Sequence, residues 1–520
     1  MHDTPRLDPE LIGRLRRDLD AAGLTVDALR ELWGDAADGA LERGDRVPAL
    51  RALRGADSAL SVLARLLVLG TPVGRVELDR ALPSLGSAGA LELGLAIAVA
   101  GDAGLLAPAL DLRPSSVVDG TGVTSWWIAS DLGELALGGA LRTDHVLGIG
   151  GASATLAALQ LPAEGGSVLD LGTGSGIQAL HAARWADRVI ATDVSERALA
   201  FARFNAALNG VDRIEFRLGS LYEPVAGERF DRIVTNPPFV ITPRREGVPA
   251  YEYRDGGMVG DALVASVVEG AAAHLAPGGS AQLLGNWEYR DGRSGLDRAA
   301  AWARGAGLEH WIVEREVLDP ARYAETWIRD GGTRPGTPEH EALVDAWLDD
   351  FAERRVDEVG FGYVLLRRPA APTGPGTDAG VRLAVTERIA EGLGENLAGI
   401  GAHLAQALAG WDAVAGLDDA QLMEQRLRVA PDVTEERSHW PGEEHPSVIL
   451  FRQGTGFGRA VHADTGLAAV VGVCDGELAL GAIVDAVAGL LDADPAALRA
   501  QLAPRIRELV RFGMLLPLER

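Results

Sequence analysis

Val168-Leu169-Asp170-Leu171-Gly172-Thr173-Gly174-Ser175-Gly176 decides the fold class of this chain. The apolar run reads as a short buried strand, and the glycines after it mark a turn into a helical stretch from Gly176 to Ala186. Three glycines where a strand hands over to a helix N-terminus let the backbone approach a ligand closely. The pattern continues outward. Val189-Ile190-Ala191-Thr192 predicts a second strand; Ser195 caps a helix with Leu199, Ala202 and Ala206 on one face, and Gly210 ends it. Ile214, Phe216 and Leu218 alternate with Glu215 and Arg217, which predicts a third strand. Ile233-Val234 and residues 281–284, 311–317 and 361–366 predict four more. Strands and helices alternating from about 160 to 368 specify an α/β, doubly wound, Rossmann-like sheet of seven strands.

On either side the pattern changes. Residues 1–140 read as a mainly helical domain, with Leu63, Leu66, Leu67 and Leu78, Leu82 at helical spacing and a β-patch at 115–131 carrying Trp126 and Trp127. The central domain spans 141–368, residues 369–380 are a proline- and glycine-rich linker, and 381–520 form a smaller α+β domain. There Leu480, Ile483, Val484 and Val487 share one helix face. A second helix starts at Asp494-Pro495, carries Leu498, Leu502, Ile506 and Leu509, and stops at Gly513. With strands between Pro446 and Val473, this resembles a winged-helix module of the kind that recognises peptides or nucleic acid, and Thr71 to Pro83 is a candidate for another. A structural or dimerising role is the alternative for both.

Composition limits the function. Of 520 residues 47% are hydrophobic and 24% charged, which excludes wholesale disorder or a collagen-like polymer. The most apolar stretches are interrupted by Glu92, Asp102, Asp475, Glu477 and Asp485, so no membrane-spanning helix is expected. Met1-His2-Asp3-Thr4-Pro5 lacks the basic and apolar runs of an export signal, and Cys474 is the sole cysteine, which removes intrachain disulfides; a cytoplasmic location is expected. All 49 basic residues are arginine, a bias read first as codon usage. The net charge of −25 opposes non-specific attraction to a phosphate backbone, so any nucleic-acid contact needs a local patch. His439, Glu443, Glu444 and His445 have metal-ligand chemistry but read as a solvated acidic loop, and no metal is expected.

The glycine loop has a decoy: Gly454, Gly456 and Gly458 lie between two β-like runs and read as a hairpin turn. What distinguishes the first loop is its partners. Asp193 ends the next strand, 21 residues after Gly172, where a carboxylate can accept from both ribose hydroxyls of a nucleoside. Asp170 precedes the glycines, which suits a ligand with a positive amino-acid head group better than a pyrophosphate. Ile233-Val234-Thr235-Asn236-Pro237-Pro238-Phe239 then ends the fourth strand at the carboxyl edge of the sheet. The Asn236 side-chain carbonyl and the Pro237 peptide carbonyl can accept both hydrogens of a planar amine, and Phe239 can stack on the group that bears it.

These motifs resemble class I S-adenosylmethionine-dependent methyltransferases of the Asn-Pro-Pro-Phe type, the amino methyltransferases with a methyltransferase small domain. The resemblance covers about 140–368 and implies a reversed seventh strand and S-adenosyl-L-methionine as cofactor. It implies cofactor contacts from Asp170, Gly172, Thr173, Gly174, Gly176, Asp193, Ser220, Leu221 and Asn236, and catalytic roles for Asn236, Pro237 and Phe239. Ser220 stands where the family often carries an acidic residue. Asp144 and His145 are candidates to close over the cofactor; Tyr251, Tyr253, Arg254, Tyr323 and Trp327 are candidates for the substrate wall. The acceptor expected first is an exocyclic base amine of RNA. A protein or peptide glutamine amide, or a natural product, is the alternative, and a non-catalytic binding protein with the cofactor fold is a reading of another class.

Overall fold

The computed structural model describes residues 4–119, 122–137, 141–370, 383–397 and 399–518. All seven expected strands form one sheet: β1 (Ser167–Leu171), β2 (Arg188–Asp193), β3 (Ile214–Leu218), β4 (Phe230–Thr235), β5 (Leu275–Arg290), β6 (Glu309–Leu318) and β7 (Val356–Arg367). An eighth, β8 (Ala384–Arg388), extends it, and the order is β8-β6-β7-β5-β4-β1-β2-β3. β1 lies between β2 and β4 with both pairings parallel, while β7 runs antiparallel to both β5 and β6. The reversed seventh strand is therefore present. Val168, Leu169 and Leu171 are buried because helices cover both faces of the sheet, which is why β1 reads as a continuous apolar run.

β8 lies beyond the expected linker, in residues assigned above to the C-terminal domain; linker residues 371–380 fall outside the described residues. It pairs in parallel with β6, Val385 opposite Trp311 and Arg388 opposite Glu314. Its polar ends hide it in the sequence, yet they have partners: Glu387 accepts from the Trp311 indole, and Arg388 donates to Glu314, whose carboxylate is fully buried and also bound by Trp287 and Tyr289.

Residues 1–117, 123–157 and 163–388 form one compact unit, so the boundary expected at 140 is not a break in packing. The N-terminal helix α1 (Pro9–Ala22) starts where Asp8 accepts from the amides of Glu10 and Leu11, and ends at Gly23. Its buried Ile12, Leu15 and Leu19 share a core with Phe201, Phe204 and Leu208 of helix α2 (Glu196–Leu208), which follows β2. The sequence does not announce this, because α2 is apolar on two faces: one covers the sheet, the other receives the N-terminal helices. In the same region a small sheet of Val73–Gly74, Ala96–Val99 and Asp102–Pro108 accompanies helices Arg75–Ala81 and Gly86–Leu93.

The β-patch expected at 115–131 is a two-stranded ribbon, Asp111–Asp119 and Gly122–Ser130. Its second strand is fastened to α2 by asparagines. Asn205 is fully buried; its Oδ1 accepts from Ala129 N at 2.8 Å, and its Nδ2 donates to the carbonyls of Ala129 at 2.9 Å and Ser175 at 2.8 Å. Asn209 repeats the device on Trp127. One side chain thus ties the ribbon, α2 and the turn after β1. Asn205→Ala strands buried backbone groups, and the expected loss of stability is about 3 kcal/mol, read as a lower urea midpoint at unchanged slope.

Residues 118–122, 158–162 and 389–520 make the second unit. Val433–Ser438, Val448–Gln453 and Ala460–Ala463 form an antiparallel sheet, and the Gly454 to Gly458 run is the turn between its last two strands. His439, Glu443, Glu444 and His445 lie in the exposed turn between its first two. Leu480, Ile483, Val484 and Val487 are buried on helix Leu480–Leu490, and Leu498, Leu502, Ile506 and Leu509 on helix Pro495–Arg511. No helix of the described residues is long and apolar enough to cross a membrane.

Candidate active site

At the carboxyl ends of β1, β2 and β4 the chain encloses a cavity of about 380 Å³. Its floor is the turn from Gly172 to Gly176. Gly172 and Gly174 have φ of 72° and 54°, and a Cβ built on either would meet nothing within 4 Å, so the bare backbone edge of both faces the cavity they line. Gly176 serves packing instead: a Cβ there would stand 3.2 Å from the Cβ of Ala202 on α2.

Two aspartates shape this turn. Asp170 is 1% exposed and lies beneath the cavity wall, with Oδ2 accepting from the Thr173 hydroxyl at 2.6 Å and the Ala179 amide at 2.9 Å. Its Oδ1 is buried without a partner. Burial, more than the neighbouring Asp193 charge, pushes the carboxyl up to about 7 against its hydrogen bonds. Asp193, at the end of β2, lines the cavity; Oδ2 accepts from Gly174 N and Oδ1 from Ser195 N, both at 2.9 Å, and burial raises its pKa. Each oxygen keeps an acceptor direction for a ligand.

The Asp170 shift has a testable sign. Its folded-state value lies above its ordinary 3.8, so the folded protein holds a proton that the unfolded chain releases between pH 4 and 7. This contribution is therefore present at low pH and lost as pH rises towards 7. Asp170→Asn, with its amide oxygen in the place of Oδ2, keeps the acceptor for both the Thr173 hydroxyl and the Ala179 amide. Urea unfolding of wild type and variant at pH 5 and pH 8 is expected to show the wild type losing on the order of a few kcal/mol more than the variant on going to the higher pH.

The Asn-Pro-Pro segment forms the facing wall. The Thr235 hydroxyl donates to the Leu171 carbonyl at 2.6 Å, tying the ends of β4 and β1 and setting Asn236 beside the glycine turn. Asn236 Nδ2 donates to Ser153 Oγ at 3.4 Å, while its Oδ1 is buried without a partner; Pro237 and Pro238 line the same wall. Ser153 is itself held by Gln178, whose amide donates to the Ser153 carbonyl at 2.8 Å. Ser220 and Leu221 close the side next to β3, Leu221 with a positive φ of 45°, a conformation that is costly for a leucine.

The remaining expected residues divide. His145 and Tyr253 line the cavity and meet edge to face, ring centroids 5.7 Å apart; burial holds the imidazole below its ordinary pKa, partly offset by Asp131. Tyr253 donates to Asp330, which also accepts from Arg254. Asp144 does not line the cavity and pairs with Arg142. Phe239 is turned into the core, its ring 5.4 Å from Phe361 and 6.2 Å from Trp327. Tyr323 is buried behind the wall; its hydroxyl accepts from Ile241 N at 3.0 Å and from Asn286, pinning the chain that leaves the Asn-Pro-Pro segment. Tyr251 and Arg254 pack beside each other, the guanidinium 4.6 Å from the ring centroid. The structure thus gathers Gly172, Thr173, Gly174, Asp193, Ser220, Leu221, Asn236, Pro237, His145 and Tyr253 on one cavity, and sets Asp144, Asp170, Gly176, Phe239, Tyr251, Arg254, Tyr323 and Trp327 outside its lining.

Sequence reasoning missed Ser153, Glu252, Asp255 and Asp131. Glu252 and Asp255 fall in the Tyr251 to Gly257 run already singled out, and both line the cavity. Ser153 sits on a helix with no motif, and Asp131, which accepts from Val146 N at 2.8 Å and binds Arg197, carries no local signal at all.

Residues 149–292 match the family model described as Methyltransferase small domain. Residues 21–107 and 409–517 match two models described as domains of unknown function, DUF7059 and DUF7782. Among curated relatives, the release factor glutamine methyltransferase of Xylella fastidiosa is 42% identical over 130 residues, 23% of this chain and 47% of that protein. That of Geobacter sulfurreducens is 37% identical over 131 residues, 24% and 46% of the two chains. The ribosomal protein uL3 glutamine methyltransferase of Bradyrhizobium diazoefficiens is 37% identical over 122 residues, 22% and 38%. The chain thus spans about half the length, or less, of these relatives. Among solved structures, a methyltransferase from Pyrococcus furiosus aligns with a TM-score of 0.24 at 19% identity, over 40% of this chain and 77% of that one.

Proposed function

We propose that this chain, whose central domain is a class I S-adenosylmethionine-dependent methyltransferase domain of the Asn-Pro-Pro-Phe type, methylates the side-chain amide nitrogen of a glutamine in a protein. The observation that carries the reading is the buried, partnerless Oδ1 of Asn236 on the wall of the cavity. A buried acceptor without a donor costs free energy unless a ligand supplies one. A substrate N–H is such a donor.

The residues present fit the cofactor. Gly172 and Gly174 leave room where a side chain would intrude, and Asp193 offers carboxylate oxygens for ribose hydroxyls. When bound, S-adenosylmethionine supplies a methyl group activated by a sulfonium. An amide nitrogen is a poor nucleophile because its lone pair is delocalised. Asn236 Oδ1, accepting one N–H while the Pro237 carbonyl accepts the other, favours a pyramidal nitrogen and directs its lone pair at the methyl carbon. These two acceptors would hold the nitrogen in place while the sulfonium cofactor supplied the methyl group, and the amide proton released would pass to solvent. No strong base is needed.

A glutamine amide and a base amine present the same planar NH2, so the acceptors alone do not choose between them. Two considerations favour the protein over the RNA base expected first. The relatives are named for glutamine in release factors and a ribosomal protein, and a net charge of −25 repels a polyphosphate. The test is to incubate the protein with deuterated-methyl S-adenosylmethionine and separate protein and RNA fractions of a lysate, then locate the label by mass spectrometry. Label on a glutamine side chain is the expected result. Label on a nucleoside amine would restore the RNA reading, and cofactor binding without label in any fraction would favour a binding protein.

A further inference from the structure

We infer that Glu252 is a specificity-determining residue that makes the cavity prefer the cationic cofactor to its neutral spent product; the inference rests on the cofactor reading above. The cavity wall is electrically one-sided. Among the described residues its acidic lining residues are Asp193, Glu252 and Asp255, and no arginine lines it. Asp255 is neutralised, since its carboxylate accepts from both ends of the Arg244 guanidinium and from Gly257 N. His145 is held towards its neutral form by burial. Two carboxylates remain, Asp193 and Glu252, and neither has an arginine partner among the described residues.

They come from different parts of the fold. Asp193 ends β2, where a ribose-binding acid is expected. Glu252 comes from the segment beyond the Asn-Pro-Pro wall, whose backbone is fixed by the Glu252 amide donating to the Thr143 carbonyl at 2.8 Å. The two are near enough that the Glu252 charge contributes to the raised pKa of Asp193. Two like charges facing one cavity are unfavourable unless the occupant is positive. S-adenosylmethionine carries a sulfonium and an ammonium against one carboxylate. After methyl transfer the sulfur is a neutral thioether, and the molecule carries no net charge.

Asp193 also bonds to groups common to both molecules, so its removal weakens both. Glu252 is exposed on the cavity lining, so its contribution is a charge interaction that scales with the ligand's charge. The consequence is directional. The wall helps retain the charged reactant and relaxes its hold once the charge is gone, which limits inhibition by the spent cofactor.

The experiment is to measure dissociation constants of the full-length protein and of Glu252→Gln for S-adenosylmethionine and for S-adenosylhomocysteine by calorimetry, at low and high salt. The variant is expected to lose about fivefold in affinity for the methyl donor at low salt while changing less than about twofold for the thioether, and the difference is expected to shrink at high salt. Glu252→Lys, at the same exposed position, is expected to enlarge the shift in the same sense. Equal losses for both ligands, or an unchanged ratio in both variants, would overturn the inference. Wild-type protein that binds neither compound would overturn the cofactor reading itself, which is a different outcome.

Discussion

Asn236→Ala is expected to bind S-adenosylmethionine as the wild type does and to transfer its methyl group at least about a hundredfold more slowly. The reason lies in what each atom of Asn236 touches. Nδ2 spends its bond on Ser153, and Oδ1 is buried at the cavity wall with no partner among the described residues. On the proposed reading this free acceptor takes the substrate N–H, and losing it leaves the amide nitrogen planar and poorly aimed. The fold does not depend on that acceptor: Thr235 ties β4 to β1, and Tyr323 pins Ile241, on either side of the residue. Single-turnover rates with labelled cofactor, beside calorimetry on the same preparation, separate the two effects. Unchanged turnover would remove Asn236 from the reaction, and parallel loss of turnover and cofactor affinity would make it only a binding residue.

Asp193→Ala is the second large effect, and it falls on binding. The carboxylate accepts from Gly174 N and Ser195 N, so it shapes the glycine turn, and in the proposed site it also offers oxygens to ribose hydroxyls. Hydrogen bonds to a charged group are worth about 1.5–3 kcal/mol each, so loss of two to a ligand corresponds to a rise in cofactor dissociation constant of roughly a hundredfold or more. Asp193→Asn, which keeps one acceptor oxygen, is expected to fall between. The measurement is cofactor titration by calorimetry, with the ligand-induced rise in Tm as a second readout; wild-type affinity in the alanine variant would place the ribose elsewhere.

The central sheet was legible because its signals are local. Buried parallel strands must be apolar throughout, and a glycine turn that leads into a helix must carry glycine where φ is positive, so both leave marks on consecutive residues. The Asn-Pro-Pro segment is similarly compact. β8 escaped notice because a short strand with buried Val385 between polar neighbours looks like a loop until Trp311 and Glu314 on β6 are set beside it. The N-terminal boundary misled for a related reason: α2 reads as one helix of the sheet domain, and only its second apolar face, closed by Ile12, Leu15 and Leu19, shows that the helices before it belong to the same core.

The sequence by itself determined the sheet, the strand that bears the glycine turn, and the positions of Asp193 and Asn236 on which the proposed chemistry depends, because each follows from residue type at short spacing. Only the tertiary structure decided which side chains share the cavity. It turned Phe239 towards Phe361 and Trp327, buried Tyr323 as a pin, sank Asp170 beneath the wall, and brought Ser153 and Glu252 to it from distant segments. The physical reason is that the direction a side chain takes from the end of a strand is set by what packs behind it, and those neighbours lie up to a hundred or more residues away in the chain.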